Sequence, residues 1–209
     1  MAAASTPTVQ LSTLPEEQLK IRPPFYTLEQ YLQMEEAAEE RHEYLDGQII
    51  TKPMAKAPHD EIAVNLIAAL KNATRSLDKK YRIYSSNQKI YLPGLNMGLY
   101  PDAVVVCEKP EFQDDNQILL INPLAIFEVL SKSTGKYDQG GKFLEYQALG
   151  SFKEYVVLDQ DKCQVQVFYR EEPDLWRKTS FNNLDAQLEL KSIGCVLTLR
   201  DIYEDVLDG

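Results

Sequence analysis

Three observations predict an α+β domain with a mixed central sheet flanked by helices. Two helical periodicities come early, six short apolar segments follow in quick succession, and one helical crossover separates the fourth segment from the fifth. At 209 residues the chain is long enough to bury one large core, and it carries no repeat and no Gly/Ser-rich linker that would divide it. With 44% hydrophobic and 26% charged residues it can offset its ordering entropy by burial. We therefore expect an N-terminal arm over residues 1–24, rich in proline at Pro7, Pro15, Pro23 and Pro24, and one domain over 25–209.

Thr27, with Gln30 three residues on, forms a capping box that starts the first helix, which should run through Tyr31 and Leu32 to Glu40. Arg41 to Leu45 and Gln48 to Ile50 flank Asp46-Gly47, the residue pair a tight hairpin turn favours. From His59 to Leu77, Ile62, Leu66, Ile67, Leu70, Ala73 and Leu77 form the stripe of a core-facing helix. Strands are expected at Tyr81–Tyr84, Gln88–Leu92, Asp102–Cys107, Leu124–Leu130, Glu154–Leu158 and Gln164–Tyr169, with a helix at Gln139–Ala148. Weaker strands at Lys178–Phe181 and Gln187–Leu190, and a short helix near Leu199–Val206, complete the domain.

The 22 basic and 32 acidic residues give a net charge of −10, which opposes a general nucleic-acid coat or a membrane-surface role, so any basic site must be local. The N-terminus lacks the basic start and apolar core of a secretory signal, and no later run approaches a membrane span, so a cytoplasmic location is expected. Cys107, Cys163 and Cys195 lie too far apart in sequence for a zinc knuckle or redox pair, and read as reduced, mostly buried thiols.

Asp102 opens the apolar run Ala103-Val104-Val105-Val106, and Glu128 stands near the end of Leu124 to Leu130. If the two strands are antiparallel neighbours, the start of one meets the end of the other and two carboxylates converge on a Val/Ile/Leu sheet. Such charges are costly unless compensated. A Lys or Arg would serve, as would exposure at a strand end. So would Mg²⁺ or Mn²⁺, for which two carboxylates and a backbone carbonyl are an adequate protein contribution. The segment Ser131 to Lys142 favours the metal, because it brings Lys132, Lys136 and Lys142 with the single acid Asp138 immediately after Glu128.

Tyr100-Pro101-Asp102, Phe127-Glu128-Val129-Leu130-Ser131 and the following Ser133-Thr134, Tyr137-Asp138 and Lys142 resemble the Uma-two family of endonucleases, a branch of the PD-(D/E)XK restriction-endonuclease-like superfamily. The resemblance spans about Tyr26 to Val206 and includes Glu43-Tyr44-Leu45-Asp46-Gly47, His59 and Glu154 to Asp159. It implies an α/β/α restriction-endonuclease-like core, with Asp102 and Glu128 as ligands of Mg²⁺ or Mn²⁺ and the Val129 carbonyl as a third. The sequence departs from the superfamily two residues after Glu128, where Leu130 replaces the lysine. The resemblance moves that role to Lys142 on the following helix, with Lys132 as the fallback. A homodimer acting on DNA is also implied.

Each assignment has a structural alternative. Lys142 lies four residues after Asp138, the spacing of a helix salt bridge worth about 0.3–0.5 kcal/mol. Glu43 is either a further acid beside the metal or an exposed hairpin residue. His59 reads first as a cap-region or surface histidine at the start of a helix and second as a ligand. Gly140 and Gly141 mark either close approach of substrate or a frayed helix start. Trp176, Phe168, Tyr169, Tyr26 and Tyr31 read as core or interface rather than base-stacking platforms. Lys71, Arg75, Lys79, Lys80 and Arg82 read first as the solvated side of the long helix and second as a DNA contact. Two functions follow: a metal-dependent endonuclease, or an inactive protein of that fold serving as an interaction or assembly module.

Overall fold

The computed structural model describes residues 24–131 and 140–207. The expected arm lies outside them except for its last residue, as do Lys132 and Asp138. The chain enters through α1 (Leu28–Ala37) and the hairpin β1 (His42–Leu45) and β2 (Gln48–Thr51), then the long helix α2 (Ala57–Thr74). The strands β3 (Tyr81–Ser85), β4 (Lys89–Leu92), β5 (Met97–Leu99), β6 (Ala103–Cys107), β7 (Leu119–Leu120) and β8 (Ala125–Leu130) follow. Helix α3 (Lys142–Tyr146) leads to β9 (Glu154–Asp159), β10 (Val165–Glu172), β11 (Leu175–Phe181), β12 (Gln187–Leu190), β13 (Cys195–Thr198) and α4 (Leu199–Ile202).

The central sheet has six strands in the order β11-β10-β9-β8-β6-β3. Its single parallel pair is β8 with β9, the two strands joined through α3, so the sheet is mixed as the crossover predicts. Alternation along β6, β8 and β9 divides the core in two. Ala103, Val105, Phe127, Val129, Val156 and Leu158 pack with α2, the β12–β13 hairpin and α4. Val104, Val106, Ile126, Tyr155 and Val157 pack on the opposite side with Tyr146, Leu149 and Phe152, and with Ile90, Leu92, Leu99 and Leu120. That second flank is therefore built from a short helix and another sheet, ordered β2-β1-β5-β4-β7, rather than from helices alone. Val104, Val105, Val106, Ile126 and Phe127 have no exposed surface, a burial worth about 1.5–3 kcal/mol per side chain before entropy is counted.

Local chemistry explains the element ends. Thr27 and Gln30 exchange both bonds of the capping box. Helix α1 stops at Ala37, three residues short of the expected Glu40, because Glu35, Glu36, Glu39 and Glu40 crowd the negative end of its dipole. The Glu35 carboxylate also accepts from the His42 amide and draws the chain into β1. Asp46 (φ 44°) and Gly47 (φ 89°) take the left-handed pair a two-residue hairpin needs. Helix α2 starts two residues before His59, with a proline in its first turn, and ends at Thr74 rather than Leu77. The crossover helix is shorter than the expected Gln139–Ala148, and α4 ends at Ile202 rather than Val206.

β5, β7 and β13 were not expected from the sequence, being only three, two and four residues long. Of the thiols, only Cys195 is buried; Cys107 at the end of β6 and Cys163 before β10 are half-exposed, and all three are free. Among the described residues no helix is long and apolar enough to cross a membrane.

Candidate active site

The antiparallel register of β6 and β8 pairs Ala103 with Phe127, and the Asp102 amide donates to the Phe127 carbonyl at 3.1 Å. Continuing that register by one residue sets Asp102 across from Glu128. The expected convergence of strand start and strand end is thus what the sheet builds, although Asp102 lies one residue before β6. Glu128 alternates with Phe127 and Val129, which face α2, and so shares the opposite face with Ile126 and Leu130. Both carboxylates are almost fully buried, Asp102 at 3% exposure and Glu128 at 2%.

Three other elements supply charges to this end of the sheet. The crossover returns the chain through α3, whose first residue, Lys142, extends Nζ to 3.3 Å from Glu128 Oε1. One turn later the Tyr146 hydroxyl donates to the same oxygen at 3.3 Å. From the hairpin, β1 brings Glu43, whose Oε1 lies 3.2 Å from Lys142 Nζ and accepts from the Tyr100 amide at 3.3 Å. Lys142 therefore bridges two buried carboxylates. The first turn of α2 presents His59, with Nε2 3.2 Å from Asp102 Oδ2. Lys52, just after β2, donates to the Tyr100 carbonyl and stands 3.6 Å from Asp102 Oδ1.

Burial by itself would raise the Asp102 pKa. The hydrogen bond from His59, the charges of Lys52 and His59, and the Val129 amide at 2.8 Å from Oδ2 outweigh it and hold the carboxyl below its ordinary value. Asp102 is thus kept ionised. Its Oδ1 faces the Lys52 ammonium at 3.6 Å, an ion pair beyond hydrogen-bond distance. His59 Nδ1 is buried and has no partner among the described residues.

A second buried cation supports the loop from behind. Lys89 on β4 is 1% exposed, its Nζ sits 4.0 Å above the Tyr31 ring and 4.8 Å above the Tyr100 ring, and Glu35 Oε1 lies 3.9 Å away. Desolvation pushes its pKa down to about 8 against the opposing charges of Glu35 and Asp114. Glu35 also accepts from the Tyr100 hydroxyl at 2.8 Å. Tyr100, two residues before Asp102, is thereby fixed through its ring, hydroxyl, amide and carbonyl.

Of the residues singled out in the sequence, Asp102, Glu128, Val129, Lys142, Glu43 and His59 meet at one end of the sheet. Lys52, Lys89, Tyr146 and Glu35 were missed. A lysine inside the strand run Lys89-Ile90-Tyr91-Leu92 is the kind of misplaced charge that could have marked Lys89; Lys52, on the strand flank, carries no such mark. Trp176, Phe168 and Tyr31 are packing residues: Trp176 meets Phe143 edge-on with centroids 4.9 Å apart, Phe168 lies 4.6 Å from Phe143, and Tyr31 stacks on Tyr44 at 5.0 Å.

An oxygen-rich, mostly carboxylate donor set suits Mg²⁺ or Mn²⁺. Among the described residues no three His, Cys, Asp or Glu side chains close into a ready-made metal cage, so water and substrate oxygens would complete any coordination.

Residues 28–200 match the Uma2 family, described as "Putative restriction endonuclease". Two uncharacterized proteins of Synechocystis sp. are each 32% identical to this chain. One match covers 78% of this chain and 91% of the relative, the other 84% and 90%. A crystal structure from Anabaena variabilis, described as "a putative nuclease belonging to DUF820", superposes with a TM-score of 0.70 at 21% identity. That superposition covers 87% of this chain and 99% of the other, and shows that the fold is shared.

Proposed function

Since the chain belongs to the Uma2 family of restriction-endonuclease-like proteins, we propose that it is a metal-dependent endonuclease that hydrolyses DNA phosphodiester bonds. The observation that carries the reading is the meeting of Asp102, Glu128 and Lys142, from three separate segments, at one buried end of the sheet. Asp102, Glu128 and the Val129 carbonyl would hold Mg²⁺ or Mn²⁺. Such an ion, when bound, polarises the scissile phosphate and lowers the pKa of a water.

The chain's own groups supply the rest. Lys142 carries the positive charge that orients the attacking water and offsets the negative charge growing on the phosphoryl oxygens. Glu43 holds Lys142 in place, and His59 with Lys52 keeps Asp102 ionised and aimed. Water attacks phosphorus and gives up a proton to solvent, the phosphorus–oxygen bond to the leaving 3′-oxygen breaks, that oxygen takes a proton from water to leave as a 3′-hydroxyl, and a 5′-phosphate remains, the outcome the superfamily implies. The alternative of an inactive module rests on the net charge of −10 and on Leu130 standing where a lysine is usual. Lys142 beside Glu128 supports the catalytic reading instead.

Asp102→Ala and Glu128→Gln should each abolish Mn²⁺-dependent nicking of supercoiled plasmid while the circular dichroism spectrum stays that of the folded chain. Nicking by these variants equal to that of the parent protein would overturn the assignment.

A further inference from the structure

We propose that a basic groove at the far end of α2 holds the sugar-phosphate backbone of DNA flanking the cut; the identity of that substrate rests on the endonuclease reading above. The groove has a volume of about 560 Å³ and is lined by Lys71, Arg75, Lys79, Lys80 and Arg82, with Glu108 as the acid among its lining residues. All five cations are exposed. Among the described residues none of them is engaged in an ion pair. In a chain of net charge −10, five basic residues within positions 71–82, against the single acid Asp78, are a local reversal of sign.

Ordinary structural roles explain only part of this cluster. Lys71 in the last turn of α2 and Arg75 at its C-cap complement the helix dipole, and Arg82 on the edge strand β3 discourages strand pairing. Neither role requires Lys79 and Lys80, nor the convergence of helix end, loop and strand on one concavity. A single small anion would call for buried, convergent donors. Exposed cations spread along a groove instead match the repeating phosphates of a nucleic-acid strand.

The position suits such a role. His59, in the first turn of α2, touches Asp102, while Lys71 and Arg75 follow it by twelve and sixteen residues, roughly 18–24 Å along the helix axis. Strand β3 is antiparallel to β6, with Ser85 opposite Ala103 and Arg82 opposite Val106, four residues from Asp102, so Arg82 lies about 13 Å along the sheet from Asp102. At about 3.4 Å per base pair, the groove would meet phosphates roughly four to seven base pairs from the cut.

The test uses the full chain carrying Glu128→Gln, so that binding is read without cleavage, with or without Lys79→Gln/Lys80→Gln/Arg82→Gln. Fluorescence anisotropy of a labelled duplex of about 30 base pairs is followed between about 50 and 200 mM salt. The triple substitution should weaken binding at least tenfold at the lower salt and reduce the log–log salt slope by about 0.9 for each phosphate no longer neutralised. Unchanged affinity and slope, or no duplex binding by the parent chain, would overturn the proposal. Should the triple variant melt early, Lys71→Gln/Arg75→Gln asks the same question from the helix side, with the same outcomes deciding. Plasmid nicking by the unsubstituted chain separates the two readings. Nicking with a groove variant that binds normally sinks the groove alone. Groove-dependent binding without nicking sinks the endonuclease and leaves the groove.

Discussion

Lys142 is the residue on which the site's electrostatics turn. One ammonium, 4% exposed, stands 3.2 Å from Glu43 and 3.3 Å from Glu128, and both carboxylates are themselves buried. Removing one member of such a group leaves uncompensated charge, which costs far more than the intact arrangement contributes. Lys142→Met should therefore lower stability by about 3–5 kcal/mol, and should reduce nicking about 10²-fold or more if Lys142 bears on the transition state. Because a bound cation replaces the missing charge, Mn²⁺ should raise the melting temperature of Lys142→Met by more than it raises that of the parent chain. Differential scanning calorimetry with and without the ion reads this. A variant as stable and as active as the parent would make Lys142 a bystander.

At the scale of elements, the second sheet acts as a brace for the Tyr100–Asp102 loop. β1, β5 and β4 are neighbours, and across them Glu43, Tyr100 and Lys89 form a chain of contacts from the carboxylate site to a buried cation. Lys89 is protonated in both folded and unfolded states below its folded pKa of about 8. Between about 8 and 10 the unfolded chain keeps that proton and the native chain does not, so the contribution of Lys89 to stability rises with pH by up to about 2–3 kcal/mol, while the Cys195 thiol, which burial pushes up to about 11, contributes with the opposite sign. Tyr31 and Tyr100, which burial holds far above the usual phenol range, keep their protons throughout that interval. Lys89→Met should be at least as stable as the parent at neutral pH and should lose that advantage between about pH 8 and 10, as checked by urea melts of both chains at successive pH values. A difference between the two chains that does not change with pH would contradict it.

The same elements show what the sequence could reveal. The capping box at Thr27, the Asp46-Gly47 turn, the stripe of α2 and the apolar runs of β6 and β8 are local signals, and each appears where its chemistry places it. β5 and β7 have no such signal. At three and two residues they are too short for alternation to register, and they exist because β4 lies between them to pair with. Lys52 was silent for a related reason, since its partner Asp102 comes from a segment far along the chain; Lys89 stood out as a charge inside an apolar strand, but its partners Glu35 and the Tyr31 and Tyr100 rings lie on other segments.

Across the whole molecule, function depends on topology rather than on any contiguous motif. Asp102 and Glu128 become neighbours through antiparallel pairing, Lys142 joins them from α3, and Glu43 and His59 arrive from the hairpin and from α2. The meeting of the two strand ends could be anticipated from their apolar runs. The placement of Lys142 and Glu43 rested on family resemblance, because nothing local to either residue specifies which sheet end it reaches.

The decisive experiment is a crystal of the full chain grown with Mn²⁺ and an anomalous difference map. One strong peak should appear with oxygens of Asp102 and Glu128 and the Val129 carbonyl at about 2.1 Å, near the distance hard divalent ions of this kind adopt. A map at saturating Mn²⁺ with no peak between those carboxylates, or with the ion bound elsewhere, would contradict the shared metal site.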